Sequence, residues 1–373
     1  MVDLVLDARK LPDFGIGSYV AALLQHVPQM VPSWSLAVLV TPKGRTLLPP
    51  LPKKVQVVVV DAPGYSAKEQ LALPAKLASL RPRLVHIPHY VVPWFHPWRL
   101  VVTVHDLIHL LFPEFLPSPW GFAYATLMMR RALRAAQMVI AVSEATAKDL
   151  KALFGADGRK IAVIPNGVDA DLFAPAQEQE ERGIRAKLGL ERPYFLFVGN
   201  DKPHKNLETV LKAYQLFVRK TGLQAPNLVL VGGTNPQGPL AEKASLLGLT
   251  HKVVILGYLP RNQLLAVYRG ALSLVYPSLY EGFGLPVLEA AALGVPAMTS
   301  SIPAVREALE DAVLQVNPKD IVEQVQALRR LAFEAETRKR LGEKARARAL
   351  GFRWEKTVEQ TVRVYRQILG EAS

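Results

Sequence analysis

Two glutamates bracket a glycine-bearing turn in Tyr276-Pro-Ser-Leu-Tyr-Glu281-Gly282-Phe283-Gly284-Leu285-Pro286-Val-Leu-Glu289. The segment follows an apolar run that reads as a strand, and it opens into a helix whose first position falls at Pro286. Glycines at 282 and 284 let backbone N–H groups close on a ligand. The helix N-terminus adds partial positive charge, so the turn suits an anion such as diphosphate. Glu289 is the only ionisable residue between Phe283 and Met298. A carboxylate in so apolar a helix needs hydrogen-bond donors, and a ribose diol supplies two. The competing reading, a dipole-favoured Glu289 and a solvated Glu281, explains one glutamate but not a pair around one turn.

A second segment, Val198-Gly-Asn200-Asp-Lys202-Pro-His204-Lys205-Asn206-Leu207, also follows a predicted strand. Asn206 is expected to cap the helix that begins at Leu207, where Lys202, His204 and Lys205 concentrate charge that favours phosphate. A solvated basic turn is the plainer alternative. Third, Gly15 and Gly17 form a G-x-G at the first strand-to-helix turn, a place for close phosphate approach. The full dinucleotide fingerprint is absent, because Val20 stands three residues after Gly17. Fourth, His105 ends an apolar strand, where it could donate to a sugar hydroxyl, stabilise charge or serve structure alone. His86, His89, His96 and His109 lack a zinc-type helical spacing with a glutamate, and no metal ion is expected.

These residues must be held by strands that alternate with helices along all 373 residues, the pattern of parallel sheets covered on both faces. Strands are predicted at 4–7, 36–41, 55–61, 84–87, 100–104, 138–142 and 161–164. A second set is predicted at 194–198, 227–231, 253–256, 272–276, 296–300 and 312–316. Helices are predicted at 18–26, 67–80, 120–136 and 144–154, with Ser143 as an N-cap, and through 319–350 and 353–369. The stretch 165–192 loses periodicity and reads as a linker. Two doubly wound α/β domains result, and their ligands belong beyond the carboxyl ends of strands, in a cleft where the domains face each other.

Composition narrows the choices. Half of the residues are hydrophobic, so the chain folds around a sizeable core. Cysteine is absent, which excludes a disulfide scaffold, a cysteine-ligated metal and a thiol nucleophile. No apolar run approaches the ~20 residues that cross a bilayer. The start, MVDLVLDARK, lacks a secretory apolar region, so the cytoplasm is the expected compartment. The net charge of +13 is spread over both halves without a basic tail, and no nucleic-acid-binding signature accompanies it. Phosphorylated substrates, an anionic membrane surface or plain solubility each fit a diffuse basic surface.

Taken together, FGIGSY, VTVHDLIHLLFPEF, AVSEATAKDL, VIPNGVD, VGNDKPHKNL and the E-x7-E pair Glu281/Glu289 resemble the family-4 retaining glycosyltransferases of the GT-B fold. The subgroup closest in pattern is the bacterial mannosyltransferase-like enzymes that build lipopolysaccharide, capsule or exopolysaccharide. The resemblance implies an acceptor-side Rossmann-like domain over 1–172, rejoined by a final helix over 353–373, and a donor-binding domain over 173–352. It implies that Glu281 binds donor-sugar hydroxyls and Glu289 the ribose. Backbone amides of Gly282, Phe283, Gly284 and Leu285, with Lys205 and Gly17, would hold the diphosphate, and His105 would contact the donor sugar. Gly257, Tyr258 and Leu259 resemble the base-contacting loop. Two departures stand out: Asn200 occupies a place where many members carry Arg, with Lys202 or His204 as substitutes, and Phe14 replaces the first glycine of a Gly-Gly-x-Gly turn.

The expected activity is metal-independent transfer of a hexose, mannose first, from a GDP- or UDP-linked sugar to a glycan or lipid-linked acceptor, with no cofactor. A glycosidase-like nucleophile is wanting if Glu281 grips sugar hydroxyls, so front-face displacement is favoured. The rivals are a sugar-nucleotide epimerase, a phosphorylase, and a non-catalytic nucleotide-sugar-binding protein. Trp94, Phe95, Trp98, Phe112 and Phe115 are expected near His105 as a sugar platform, a lipid-facing edge or packing. Peripheral association with the inner face of the plasma membrane would suit a lipid-linked acceptor; nucleic acid is not an expected partner.

Overall fold

The strand runs that are apolar from end to end form two all-parallel sheets, as burial on both faces requires. A computed structural model describes residues 1–62, 64, 66–116 and 118–371. The first sheet holds β1 (Val2–Asp7), β2 (Leu36–Val40), β3 (Gln56–Val59), β4 (Pro82–Ile87), β5 (Arg99–Val104), β6 (Met138–Ala141) and β7 (Ile161–Val163). Its order is β3-β2-β1-β4-β5-β6-β7. The second holds β8 (Tyr194–Val198), β9 (Asn227–Val231), β10 (Val253–Gly257), β11 (Ser273–Tyr276), β12 (Ala297–Ser300) and β13 (Leu314–Val316). Its order is β10-β9-β8-β11-β12-β13.

The chain divides into two compact units, Met1–Gly167 with Arg353–Ser373, and Val168–Phe352. Residues 168–172, grouped with the first domain from sequence, therefore cluster with the second unit. In each sheet the strand order reverses beside the first strand, between β1 and β4 and between β8 and β11. These are the positions where a doubly wound sheet opens for a ligand.

Most strands lie within a residue or two of their predicted bounds, and β8 and β9 match them. Ser143 caps its helix as expected, accepting from the Thr146 amide at 3.0 Å. Three expectations need correction. The first helix runs Phe14–Met30, so Gly15 and Gly17 lie inside its first turns and not in a loop before it. A Cβ at Gly17 would stand 2.4 Å from the Leu11 carbonyl oxygen, so this glycine is required by the chain that crosses it. The supposed linker contains a helix, Glu178–Lys187, which packs on helix Arg261–Gly270. There Arg185 donates to the Ala266 carbonyl at 3.1 Å and Arg269 pairs with the buried Glu181. Its stability rests on acids at the start, bases at the end and buried ion pairing, none of which leaves an apolar period to read. The tail forms three helices, Ile321–Phe333, Ala335–Ala349 and Trp354–Leu369.

The last of these helices belongs to the first unit and is tied to its sheet by polar atoms. His86, fully buried on β4, shares hydrogen bonds with Tyr365 Oη at 2.5 Å and with Thr103 Oγ1 at 2.8 Å. Tyr19 Oη reaches the same Thr103 hydroxyl at 3.0 Å. Among the described residues no helix is long and apolar enough to cross a membrane.

Tyr365→Phe removes one partner from this buried chain and lowers unfolding free energy by about 1–3 kcal/mol in urea titrations. An unchanged midpoint contradicts the assignment. Burial, then the neighbouring His105, hold the His86 pKa down at about 3. The unfolded imidazole takes a proton at 6.5, so the unfolded state binds more protons below that pH. His86 stabilisation is complete above about pH 6.5 and is lost as pH falls towards 3, beginning above the carboxylate range.

Candidate functional site

In the second unit the loops after β8 and β11 meet where the strand order reverses. The Leu279 amide donates to the His204 carbonyl at 2.7 Å, which joins one loop to the other. Asn206 reinforces the seam. Its backbone is left-handed, with φ of 60°, and its Nδ2 donates to the carbonyls of Pro277 at 3.0 Å and Pro318 at 2.7 Å. The expected side-chain cap by Asn206 is therefore not made, because its amide group holds the two flanking loops instead.

This seam delivers Lys205 to Glu281. Lys205 Nζ stands 2.7 Å from Glu281 Oε1 and donates to Tyr276 Oη at 2.5 Å, with the ammonium 5.0 Å from the tyrosine ring centre. The side chains are only 13% and 12% exposed. Burial alone would raise the Glu281 pKa, but Lys205, with a further contribution from His204, brings it below the ordinary value. Burial likewise opposes the Lys205 charge, and Glu281 and Tyr276 overcome it and raise its pKa. Both groups are charged at neutral pH.

The turn beyond Glu281 is shaped for close approach. Gly284 adopts φ of 92°, and a Cβ there would stand 2.9 Å from Val305 Cγ2. The helix that follows, Leu285–Ala292, takes Pro286 at its second position, one residue later than expected. Phe283 packs edge-on against Phe352, with ring centres 6.0 Å apart. The first amides of a helix lack intrahelical acceptors and point outward, which suits this turn to an anion.

Glu289 lies on that helix in a different setting. Tyr268 Oη donates to Glu289 Oε2 at 2.9 Å. Burial raises the Glu289 pKa to about 7, against the opposing pull of Tyr268 and Arg261. Arg261 is itself engaged by Asp169 at 2.7 Å and Asp171 at 2.6 Å. The two carboxylates thus differ in charge state, one held ionised by an ammonium and the other poised near neutrality.

Other expected donor residues are in the same unit. Asn200 Oδ1 accepts from the Lys202 amide at 3.3 Å, a local turn that leaves the Lys202 side chain exposed. His204 is partly buried and acts electrostatically on Glu281. Gly257 ends β10 with φ of 64°, Tyr258 is exposed and Leu259 is partly buried. Sequence reasoning missed Tyr276, Tyr268 and Arg261. Tyr276 and Tyr268 are fully buried, and in sequence nothing sets them apart from core.

The first unit holds the remaining candidates. His105 follows β5, its ring edge-on to Tyr19 at 4.9 Å. Burial lowers its pKa to about 4, although a hydrogen bond to the Pro88 backbone opposes the shift. The buried Nε2 makes no hydrogen bond among the described residues. The other ring nitrogen must then carry the proton that meets the Pro88 carbonyl, and Nε2 of the neutral ring is an acceptor. His105 is thus set to accept from a hydroxyl, which corrects the expectation of a donor. Gly17 is also corrected, because its buried amide donates to the Asp13 carbonyl and is not available to phosphate. Gly15 is exposed in the first turn.

Beyond the ends of β1, β2 and β4 lies a cavity of about 310 Å³, lined by Asp7, Arg9, Thr41, Glu69, Ile87 and His89 among others. Arg9 is pinned there by Asp7 at 2.7 Å and Glu69 at 2.6 Å. Among the described residues no group of three or more His, Asp or Glu is disposed to hold a metal ion.

The buried Lys205–Glu281 pair makes a thermodynamic prediction. Lys205→Met leaves the Glu281 charge uncompensated and costs about 3–5 kcal/mol of stability in urea unfolding. Adding Glu281→Gln recovers part of that loss. Strict additivity of the two changes contradicts a coupled pair.

Comparison with known proteins agrees with the two-sheet architecture. The family model described as Glycosyltransferase Family 4 matches residues 15–172, and that described as Glycosyl transferases group 1 matches residues 180–348. The chain is 29% identical over 288 residues to an O-antigen chain mannosyltransferase B of Escherichia coli, covering 76% of this chain and 74% of that one. It is 30% identical over 359 residues to a D-inositol 3-phosphate glycosyltransferase of Actinosynnema mirum, covering 86% and 85%. For some other curated relatives the chain covers less than two thirds of their length. Among solved structures, Anabaena HepE in complex with UDP and glucose superposes with a TM-score of 0.77 at 19% identity, covering 98% of this chain and 99% of that one. The two doubly wound units are those of a GT-B fold, and the chain belongs to the family-4 glycosyltransferases, with mannosyltransferase-like relatives.

Proposed function

We propose that this glycosyltransferase moves a hexose, mannose by preference, from a GDP- or UDP-linked sugar to a glycan or lipid-linked acceptor with retention of anomeric configuration. The reading rests chiefly on the buried Lys205–Glu281 pair at the β8/β11 opening. Lys205 and the amides of the 282–285 turn take the diphosphate, which frees Glu281 for sugar hydroxyls, while Glu289 takes the ribose. His105 Nε2 accepts a hydroxyl of the donor sugar. Mannose is favoured by the name of the Escherichia coli relative, and a nucleotide-sugar donor by the UDP and glucose bound to HepE. The cavity of the first unit, lined by hydrogen-bonding groups at strand ends, is assigned to the acceptor.

Front-face displacement follows from the chemistry of the charged groups. The bond from the anomeric carbon to the diphosphate oxygen breaks, and the bond to the acceptor oxygen forms on the same face. The acceptor proton passes to the departing phosphate. A glutamate tied to sugar hydroxyls makes a poor nucleophile, so no glycosyl-enzyme is invoked. Lys205 and the helix N-terminus stabilise charge that grows on the leaving diphosphate, and the resulting reaction needs no metal ion.

The direct trial uses purified protein with UDP-, GDP- and ADP-sugars, followed by thermal stabilisation and release of nucleoside diphosphate. One donor class stabilises the fold, by about 2.7 kcal/mol at a concentration of 100 Kd. Lys205→Ala lowers kcat by about 10²–10³, and Glu281→Ala lowers turnover far more than it lowers stability. Near-normal turnover of Glu281→Ala with every donor would refute the assignment. Glu289 supplies a separate check, because only its carboxylate accepts both ribose hydroxyls. With a pKa of about 7, donor affinity rises with pH through neutrality, and Glu289→Gln flattens that rise. A profile that is the same in both proteins removes Glu289 from the ribose.

A further inference from the structure

The cavity of the first unit is built around three buried charges. Arg9 follows β1 and grips Asp7, the last residue of that strand, through Nε–Oδ1 at 2.8 Å and Nη2–Oδ2 at 2.7 Å. Its Nη1 donates to Glu69 Oε1 at 2.6 Å. Glu69 lies in the first turn of the helix Ala67–Leu80, where its amide donates to the Ser66 hydroxyl at 3.1 Å. The Arg9, Asp7 and Glu69 side chains are 10%, 5% and 6% exposed. Burial opposes the Arg9 charge, and Asp7 and Glu69 outweigh it and keep the guanidinium ionised.

A guanidinium carries five N–H groups, and these contacts use three of them. One N–H on Nη1 and one on Nη2 have no protein partner among the described residues, and Arg9 lines the cavity. His89 lines it too. Its Nδ1 accepts from the Val91 amide at 3.1 Å, so the neutral ring carries its proton on Nε2. Burial, then Lys10, hold its pKa well below 6.5, and the ring is uncharged at neutral pH. The charges around the cavity balance, with Asp7, Asp13 and Glu69 set against Arg9, Lys10 and Lys43. Lys10 pairs with Asp13 at 2.8 Å, and Lys43 is exposed to solvent. The buried part, two carboxylates about one guanidinium, has a net charge of −1.

We infer that Arg9, clamped by Asp7 and Glu69, selects the acceptor: it takes neighbouring hydroxyls of an uncharged terminal sugar and rejects a sugar that carries phosphate. This rests on the assignment of the cavity to the acceptor made above, and adds the residues and the chemical class. A hydroxyl is both donor and acceptor, so it can receive an Arg9 N–H and donate to a carboxylate oxygen of the same cluster. A phosphate would bring negative charge to a buried group whose single cation is already met by two anions. At about 310 Å³ the cavity lies at the small end of ligand clefts, which suits the last ring of an acceptor and not its carrier.

The test is saturation-transfer NMR on the full chain with methyl glycosides of mannose, glucose, galactose and rhamnose, and with mannose 6-phosphate and inositol 3-phosphate. A neutral glycoside binds, and both phosphates bind more weakly by about tenfold or more. Glu69→Gln keeps an oxygen for Arg9 and removes one negative charge, so the preference for the neutral ligand falls by about tenfold. That ratio is read within one protein, so a partly unfolded sample does not alter it. Arg9→Lys keeps the charge but loses the fork, and weakens the glycoside by about tenfold. Octyl glycosides separate a lipid-linked source from a free glycan, and they keep the same order of sugars as the methyl series. Preferred binding of either phosphate, no binding of any glycoside, or an unchanged ratio in Glu69→Gln overturns the proposal. So does equal binding of every octyl glycoside. Failure of the transferase reading looks different: the glycoside still binds with these dependences, while no nucleotide sugar is turned over.

Discussion

The second unit turns on one interaction, the ammonium of Lys205 held between the Glu281 carboxylate and the Tyr276 hydroxyl. Lys205 and Glu281 come from loops that follow central strands and Tyr276 ends one of those strands, so the group sits at the gap where the sheet reverses its strand order. Left alone, either charge would be expensive in this environment. Together they hold a buried cation and anion beside a glycine turn, and under the proposed function a phosphate takes the ammonium while a sugar hydroxyl takes the carboxylate. The site thus stores its two binding charges by pairing them with each other.

The seam that makes this possible is built from ordinary backbone groups. Asn206, strained into a left-handed conformation, ties two loops with its side-chain amide, and the Leu279 amide ties them again. Glu289 shows the opposite treatment: with a tyrosine hydroxyl and no directly bonded cation among the hydrogen bonds described above, its carboxyl is raised by burial. Environments that separate two carboxylates in this way give them different tasks.

Much of this was legible in the chain. Strands β8 and β9 read from end to end because burial on both faces leaves uninterrupted apolar runs, and the glutamate pair stood out because its helix holds no other charge. Helix Glu178–Lys187 escaped because its stability is electrostatic and leaves no hydrophobic period. Tyr276 and Tyr268 escaped because a buried tyrosine in sequence is indistinguishable from core, and only the geometry shows its hydroxyl facing an ion. Asn206 was placed correctly at the helix start but given the wrong partners, since a cap and a bridge between loops demand the same residue type. Gly17 was legible as a close approach, yet what approaches is the protein's own Leu11 carbonyl.

The most direct measurement is a crystal structure of the protein with its preferred nucleotide sugar. The diphosphate is predicted within hydrogen-bond distance of Lys205 Nζ, with Glu281 released onto the hexose. A donor bound elsewhere, beside an unaltered Lys205–Glu281 pair, would contradict it.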